Sequence, residues 1–103
     1  MTSDRIVALQ KLLEQSPDDA RLLFGLAMEY EKLAQWPDVA RLLGRYLELA
    51  EDEGNAWGRL GQALRHLGRD EEARTAYERG IDVARRHGHP TMAMEFEEVL
   101  ADW

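Results

Sequence analysis

Apolar residues recur along this chain with the spacing of amphipathic α-helices, in six successive blocks. In the first block, Ile6, Leu9 and Leu13 follow one another at intervals of three and four residues, which places them on one helical face. In the last block, Phe96 and Val99 belong to a similar apolar stripe. Proline, glycine, serine and aspartate lie between the blocks and supply the start and stop signals of helices. The pattern predicts six helices, at about residues 3–15, 19–34, 37–51, 55–67, 70–87 and 90–102.

The strongest motif lies between the fourth and fifth predicted helices. It reads W-x₂-L-G followed by G-x₄-A-x₃-Y and comprises Trp57, Leu60, Gly61, Gly68, Ala73 and Tyr77. Small residues at Gly61 and Ala73 predict the close approach of two helices, and Gly68 predicts the end of the first. We expect Trp57 and Tyr77 to lie in the core, because both are bulky and face the partner helix or the next repeat.

The motif recurs earlier in the chain. At an offset of 34 residues, Leu23 aligns with Trp57 and Leu26 with Leu60, and the apolar or small character is kept. The second half of the unit aligns better at an offset of 33, where Ala40 matches Ala73, so the turn at 34–37 is expected to carry one extra residue. Within this turn Trp36 has two interpretations, packing under the repeat or a binding hot spot, and packing is favoured.

These residues resemble the tetratricopeptide repeat (TPR) family, and the chain as a whole is similar to small stand-alone bacterial TPR proteins. The resemblance implies an all-α fold of antiparallel helix pairs stacked as a short right-handed superhelix. We expect a single domain at 1–103, which comprises a leading helix at 1–17, TPR units at 18–53 and 54–89, and a capping helix at 90–103.

Composition narrows the function classes. The chain has 103 residues, a formal net charge of −7 and no cysteine, which excludes a disulfide framework and thiolate metal sites. The acidic balance argues against nucleic acid and anionic membranes as main partners. Residues 1–13 lack the features of a signal peptide and no apolar run is long enough to span a membrane, so a cytoplasmic protein is expected. Arginine greatly outnumbers lysine, which hints at a GC-rich bacterial genome.

Candidate chemistry is sparse. The hydroxyl side chains, at Thr2, Ser3, Ser16, Thr75 and Thr91, are not placed by sequence near a histidine–aspartate pair, and the two serines adjoin helix ends. Carboxylates cluster at 51–53 and 70–72, where they suit solvated helix termini. His87 and His89 form the one tempting metal pair, but two ligands make a weak site. We therefore expect no enzyme, no metal site and no cofactor.

The resemblance places a binding groove on the concave face, which the first helix of each TPR unit lines. Carried onto this chain, the groove residues are Arg21, Phe24, Met28, Asn55, Arg59, Gln62, Arg65 and His66, with Met94, Glu97 and Glu98 on the final helix. The lysine and asparagine with which some TPR domains grip a chaperone's terminal carboxylate are replaced here by Phe24 and Met28. The helix at 54–69 carries three arginines and no acid, and these arginines either serve the groove or pair with acids of neighbouring helices.

The expected function is non-enzymatic binding of a protein or peptide segment on the concave face. The expected partner is a short segment that combines acidic and apolar side chains, because Phe24 and Met28 are apolar whereas Arg59 and Arg65 are basic. The alternative is a structural or self-associating module whose groove is filled by its own chain or by a second copy. The chain is accordingly expected to be a monomer or a weak homodimer.

Overall fold

Six α-helices make up residues 3–103, the part of the chain that the computed structural model describes. They are α1 (Asp4–Gln15), α2 (Ala20–Lys32), α3 (Trp36–Leu49), α4 (Asn55–His66), α5 (Asp70–Arg86) and α6 (Pro90–Ala101). The six predicted helices and the all-α class are confirmed, with ends that differ by no more than two residues. The expectations for Met1 and Thr2 lie outside the described residues.

The residues form two compact units, the first ending at Ala50 and the second running from Glu51 to Trp103. In the first unit, α2 packs against both α1 and α3. Its core is built from aliphatic side chains together with Tyr30, and Ile6, Val39 and Leu43 are the largest side chains that are fully buried. Burial of these residues follows from the helical stripes, since one face of each helix is apolar.

The second unit is built around α5, which packs against both α4 and α6. Its core contains many small residues, which let the helices approach closely: Ala56, Ala63, Ala73, Ala76, Ala84 and Ala93 are all buried. Tyr77 is also buried, as expected, but Trp57 is only half-buried. The expectation of a core Trp57 is therefore wrong in part, and the Arg79 guanidinium lies 5.6 Å from the centroid of its ring.

The turns that join α2 to α3 and α4 to α5 are equal in length, which corrects the expectation of an extra residue. In the first, the amide of Gln35 donates to the carbonyl of Tyr30, and in the second the amide of Arg69 donates to the carbonyl of Leu64, one 34-residue period later. Ala34 and Gly68 occupy the same left-handed position, with φ of 54° and 74°. Trp36 therefore does not lie in an enlarged turn but begins α3.

The 34-residue period continues through α3 and α5. Val39 and Ala73 are both fully buried, whereas Ala40 corresponds to the exposed Arg74. Leu43 accordingly stands where the second unit has Tyr77. The sequence alignment failed here because it matched alanine with alanine, whereas packing conserves burial and lets the size of the side chain vary.

Helix ends follow local capping chemistry. Ser3 accepts a hydrogen bond from the amide of Ile6 at the start of α1, and Asp19 accepts from Arg21 and Leu22 at the start of α2. Asp52 accepts from the amides of Gly54 and Ala56 just before α4. Ser16 closes α1 instead of opening α2.

Candidate functional site

Two adjoining depressions lie on the second unit, between α4 and α6. One has a volume of about 590 Å³ and is lined by Gln62, Arg65, His66, Tyr77 and Val99. The other has a volume of about 350 Å³ and is lined by Asn55, Gly58, Arg59, Gln62, Tyr77, Met92, Glu95, Phe96 and Val99. Gln62, Tyr77 and Val99 line both, so the two depressions are parts of one site, which we call the α4–α6 cleft.

The polar wall of the cleft comes from α4. The five groove residues that sequence reasoning selected on this helix all line it: Asn55, Arg59, Gln62, Arg65 and His66. Asn55, Arg59 and Gln62 follow one another at intervals of four and three residues, and Arg65 and His66 lie three and four residues beyond Gln62, so all five share one helical face. The guanidinium of Arg59 donates to the Asn55 side-chain oxygen at 3.3 Å, which aligns two members of the row. This wall offers amide and guanidinium donors to a bound group.

The opposite wall comes from α6 and differs from the expectation. Met92, Phe96 and Val99 make it largely apolar, with Glu95 at its edge. Met94 and Glu97 were expected here, but Met94 is 59% exposed and outside the lining, and Glu97 forms an ion pair with Arg85 at 2.8 Å.

The reason for this difference is geometric. A cleft between two helices is lined by the faces that point toward each other. Positions of α4 and α6 that are equivalent in the repeat therefore cannot both line it. Carrying the α4 positions onto α6 selects the side of α6 that faces away from α4. The signal that would have found the correct set is the stripe Met92, Phe96 and Val99, at intervals of four and three residues.

Phe96 is held in place by two glycines. A Cβ atom on Gly58 would lie 2.4 Å from the Phe96 ring, and one on Gly80 would lie 3.0 Å from it. The ring therefore occupies space that any side chain at these positions would fill. This contact joins α6 to both α4 and α5 and gives the cleft a rigid apolar wall.

The floor of the cleft is the Tyr77 ring, which makes edge contacts with Phe96 and Trp103 at centroid distances of 5.7 and 6.0 Å. Burial raises the pKa of the Tyr77 hydroxyl, and the charge of nearby Arg65 opposes that shift. The phenol therefore stays neutral at physiological pH and can donate a hydrogen bond.

Trp103 brings two cations to the end of the cleft. The guanidinium carbon of Arg65 lies 4.3 Å from the Trp103 ring centroid, and that of Arg74 lies 5.2 Å from it. At the start of α5, Arg69 forms an ion pair with Glu72. Near the end of α5, Arg86 forms an ion pair with Asp82 at 3.1 Å. The stacking of Trp103 on Arg65 and Arg74 was not predicted from the sequence.

Of the groove residues expected on the first unit, none lines the cavity described there. Phe24 is half-buried and packs against Tyr46 with ring centroids 5.2 Å apart, Met28 is half-buried, and Arg21 is exposed. A cavity of about 610 Å³ lies elsewhere on the unit and is lined by Gln10, Leu13, Glu14, Pro17, Leu23, Leu26, Arg41 and Leu42. The role of these three residues in binding stays a prediction.

Of the two histidines near the start of α6, His89 contacts the segment that precedes α4. His89 Nε2 lies 2.6 Å from the carboxylate of Glu53, and this hydrogen bond lowers the pKa of Glu53, against the opposing effect of burial. Within residues 3–103, no three side chains of histidine, aspartate or glutamate gather in a geometry that could hold a metal ion. No helix in that range is long and apolar enough to cross a membrane.

Comparison with known proteins agrees with this geometry. A family model described as tetratricopeptide repeat matches residues 54–87. A TPR repeat-containing protein of Pseudomonas aeruginosa is 34% identical over 83 residues, which are 81% of this chain and 79% of that protein. The chain belongs to the tetratricopeptide repeat family. TPR proteins are generally non-enzymatic and mediate protein–protein interactions, and the structure is therefore that of a helical-repeat interaction module.

Two solved structures have the same fold. The solution structure of a protein from Bordetella parapertussis aligns with 99% of this chain and 88% of that one, with a TM-score of 0.79 and 26% identity. The crystal structure of MamA aligns with 90% of this chain with a TM-score of 0.72 and 22% identity. The chain spans 63% of the length of MamA, and that likeness concerns the fold alone.

Proposed function

We propose that this TPR protein binds an extended segment of a partner protein on the face formed by the first helix of each repeat. The observation that carries the proposal is the α4–α6 cleft, in which a row of polar donors faces an apolar wall over Tyr77. Such a cleft suits a peptide main chain, because Asn55 and Gln62 can each offer a donor and an acceptor to one peptide group.

The partner segment is proposed to combine acidic and apolar side chains. Arg59 and Arg65 offer guanidinium donors, which favour carboxylates, while Met92, Phe96 and Val99 offer apolar surface. Phe24 and Met28 on the first unit are proposed to add an apolar contact, and methionine adapts to side chains of varied shape. The charged contacts speed association and the apolar contacts lengthen the lifetime of the complex.

The test is to capture partners from a bacterial lysate, map the bound segment, and measure its affinity for variants. Gln62→Ala is expected to weaken binding about threefold to tenfold at all salt concentrations. Arg59→Ala is expected to act mainly at low salt, because salt screens exposed charges. Phe24→Ala is expected to weaken binding at all salt concentrations. Arg86→Ala, on α5 and paired with Asp82, is the matched control.

Circular dichroism melts would show that each variant is folded. If the three variants bind the mapped segment as tightly as the wild type, the partner uses another surface and the proposal is wrong.

A second candidate function is self-association. The observation that favours it is exposed apolar side chains on α1, where Leu12 is 51% and Val7 39% exposed. Light scattering separates the two functions, since a tight dimer that Leu12→Ser dissociates would favour a structural module. If the protein is a monomer at the concentrations at which it binds the partner, the result favours the partner-binding function.

A further inference from the structure

Two arginines, Arg65 and Arg74, stack on Trp103 and pair with no acid in the described part of the chain. Within residues 3–103, neither Arg65 nor Arg74 forms an ion pair. Both guanidinium groups instead contact the Trp103 ring, and the charge of Arg65 also acts on the Tyr77 hydroxyl. Acids are close along the chain, at Asp70, Glu78 and Asp102, yet none pairs with either guanidinium. Two unneutralised cations on one ring are unexpected in a chain whose net charge is −7.

The stacking has a consequence for binding. A guanidinium that lies over an aromatic ring keeps its N–H groups free at its edge, and the ring fixes its plane. Arg65 therefore presents donors already oriented for the two oxygens of a carboxylate, at a lower entropic cost than a mobile side chain would pay.

A third donor lies at the same place. The Tyr77 hydroxyl makes no hydrogen bond to the described residues, and no buried side-chain polar atom among them lacks a partner. The hydroxyl thus reaches solvent although the residue is only 6% exposed, and Tyr77 and Arg65 line the same 590 Å³ depression.

We propose that Arg65, Arg74 and the Tyr77 hydroxyl, organised by Trp103, form a site for an acidic side chain of the bound protein segment. The site rests on the proposed function and goes beyond it, because it assigns the acid-binding role to the cations around Trp103 and gives α5 a part in recognition. Arg65 and Tyr77 contact the carboxylate, Arg74 adds charge from the other helix, and Trp103 is a positioning residue.

The experiment titrates the full chain with a defined probe and follows the indole and arginine side-chain N–H signals by NMR. The probe is the synthetic peptide acetyl-Leu-Glu-Glu-Leu-amide, and its matched control is acetyl-Leu-Gln-Gln-Leu-amide. The glutamate peptide is expected to shift the signals of Trp103 and Arg65 in a saturable manner, and the glutamine peptide is expected to leave them in place. Inorganic phosphate at equal ionic strength is expected to produce a much smaller shift.

Variants then assign the roles. The double variant Arg65→Gln, Arg74→Gln is expected to abolish the saturable shift of the Trp103 indole signal. Trp103→Phe is expected to lower the affinity for the glutamate peptide about threefold to tenfold. Arg86→Gln removes the same charge from α5 at a guanidinium that pairs with Asp82, and is expected to leave the shift unchanged.

Three results would overturn the site: equal shifts with the glutamate and glutamine peptides, equal shifts with phosphate, or an unchanged shift in the double arginine variant. These results are distinct from failure of the proposed function. A captured partner that binds the double variant as tightly as the wild type contradicts the site and leaves partner binding intact. A saturable glutamate-specific shift without any partner that contacts the cleft supports the site and contradicts the broader function.

Discussion

At the scale of single residues, the second unit depends on positions where a side chain is missing. Gly61 lies against Tyr77 so closely that a Cβ atom would stand 2.7 Å from the ring. Gly58 stands in the same relation to Phe96. Both rings border the cleft, so the glycines set the position of its floor and of its apolar wall. The predicted role of Gly61 as a point of close helix contact is confirmed.

Gly61→Ala should destabilise the protein by about 1–3 kcal/mol, because the new methyl group overpacks the contact with the Tyr77 ring. The matched control is Gly44→Ala, since a Cβ atom on Gly44 would meet nothing within 4 Å. This control lies inside α3 and should stabilise the protein by about 0.5–1 kcal/mol through helix propensity. Urea unfolding measures both variants. If Gly61→Ala is as stable as Gly44→Ala, the contact with Tyr77 does not limit the packing of α4 on α5.

At the scale of elements, the position of α6 decides whether the cleft exists. The helix is held in its middle by Phe96 and along its length by the ion pair of Glu97 with Arg85. At its start His89 bonds to Glu53, which precedes α4. The contact between His89 and Glu53 joins the start of α6 to the segment just before α4, so it bears on the position of the cleft walls as well as on stability.

Glu53→Gln should remove a pH-dependent contribution to the free energy of unfolding. The folded-state pKa of Glu53 is lowered, chiefly by the hydrogen bond from His89, so the folded protein binds the proton of this group less readily than the unfolded chain. The contribution is therefore fully present above the ordinary carboxyl pKa of 4.5 and is lost as pH falls through the lowered value.

Urea unfolding from about pH 3 to about pH 7 measures this difference. The free energy of unfolding of the wild type should exceed that of Glu53→Gln near neutrality, and the two values should converge in acid. His89→Gln should show the same pH dependence as Glu53→Gln. Glu98→Gln is the control, because Glu98 is an exposed acid of α6 that forms no ion pair within the described residues. A constant difference at every pH would mean that the Glu53 carboxylate does not stabilise the fold through His89.

At the scale of the whole molecule, the protein is an array of repeats with two compact units. In such arrays stability is close to a sum of local terms and nearest-neighbour terms, and parts of the chain can open separately. The binding cleft belongs to the second unit, so its opening is set mainly by the packing of α4, α5 and α6. A loss of binding can then occur in a chain that is still largely helical.

Phe96→Ala should lower amide protection within 51–103 more than within 3–50, because the cavity it leaves lies among α4, α5 and α6. Leu43→Ala should produce the reverse pattern, since Leu43 is fully buried in the first unit. Hydrogen exchange followed by NMR reports protection residue by residue. An equal loss across both ranges in both variants would show that the chain opens only as one cooperative block.

The helices and the family could be predicted because they depend on local information. The stripe through Ile6, Leu9 and Leu13 and the glycine at Gly68 act within a few residues of themselves, and periodicity records them directly. The polar wall of the cleft could be predicted for the same reason, since Asn55, Gln62 and Arg65 share one face of one helix. The alignment of the α3 sequence with the α5 sequence could not be predicted, because it matches buried positions such as Val39 and Ala73, whose side chains differ in size.

By itself, the sequence determined the six helices, the 34-residue period, the all-α TPR fold and the α4 wall, since each is a property of one helix or of its turns. Only the tertiary structure decided which face of α6 meets α4, that Trp57 is half-exposed, and that Trp103 stacks on Arg65 and Arg74. These facts depend on where one helix lies against another. Periodicity marks an apolar face but does not say what covers it, and packing alone supplies that partner.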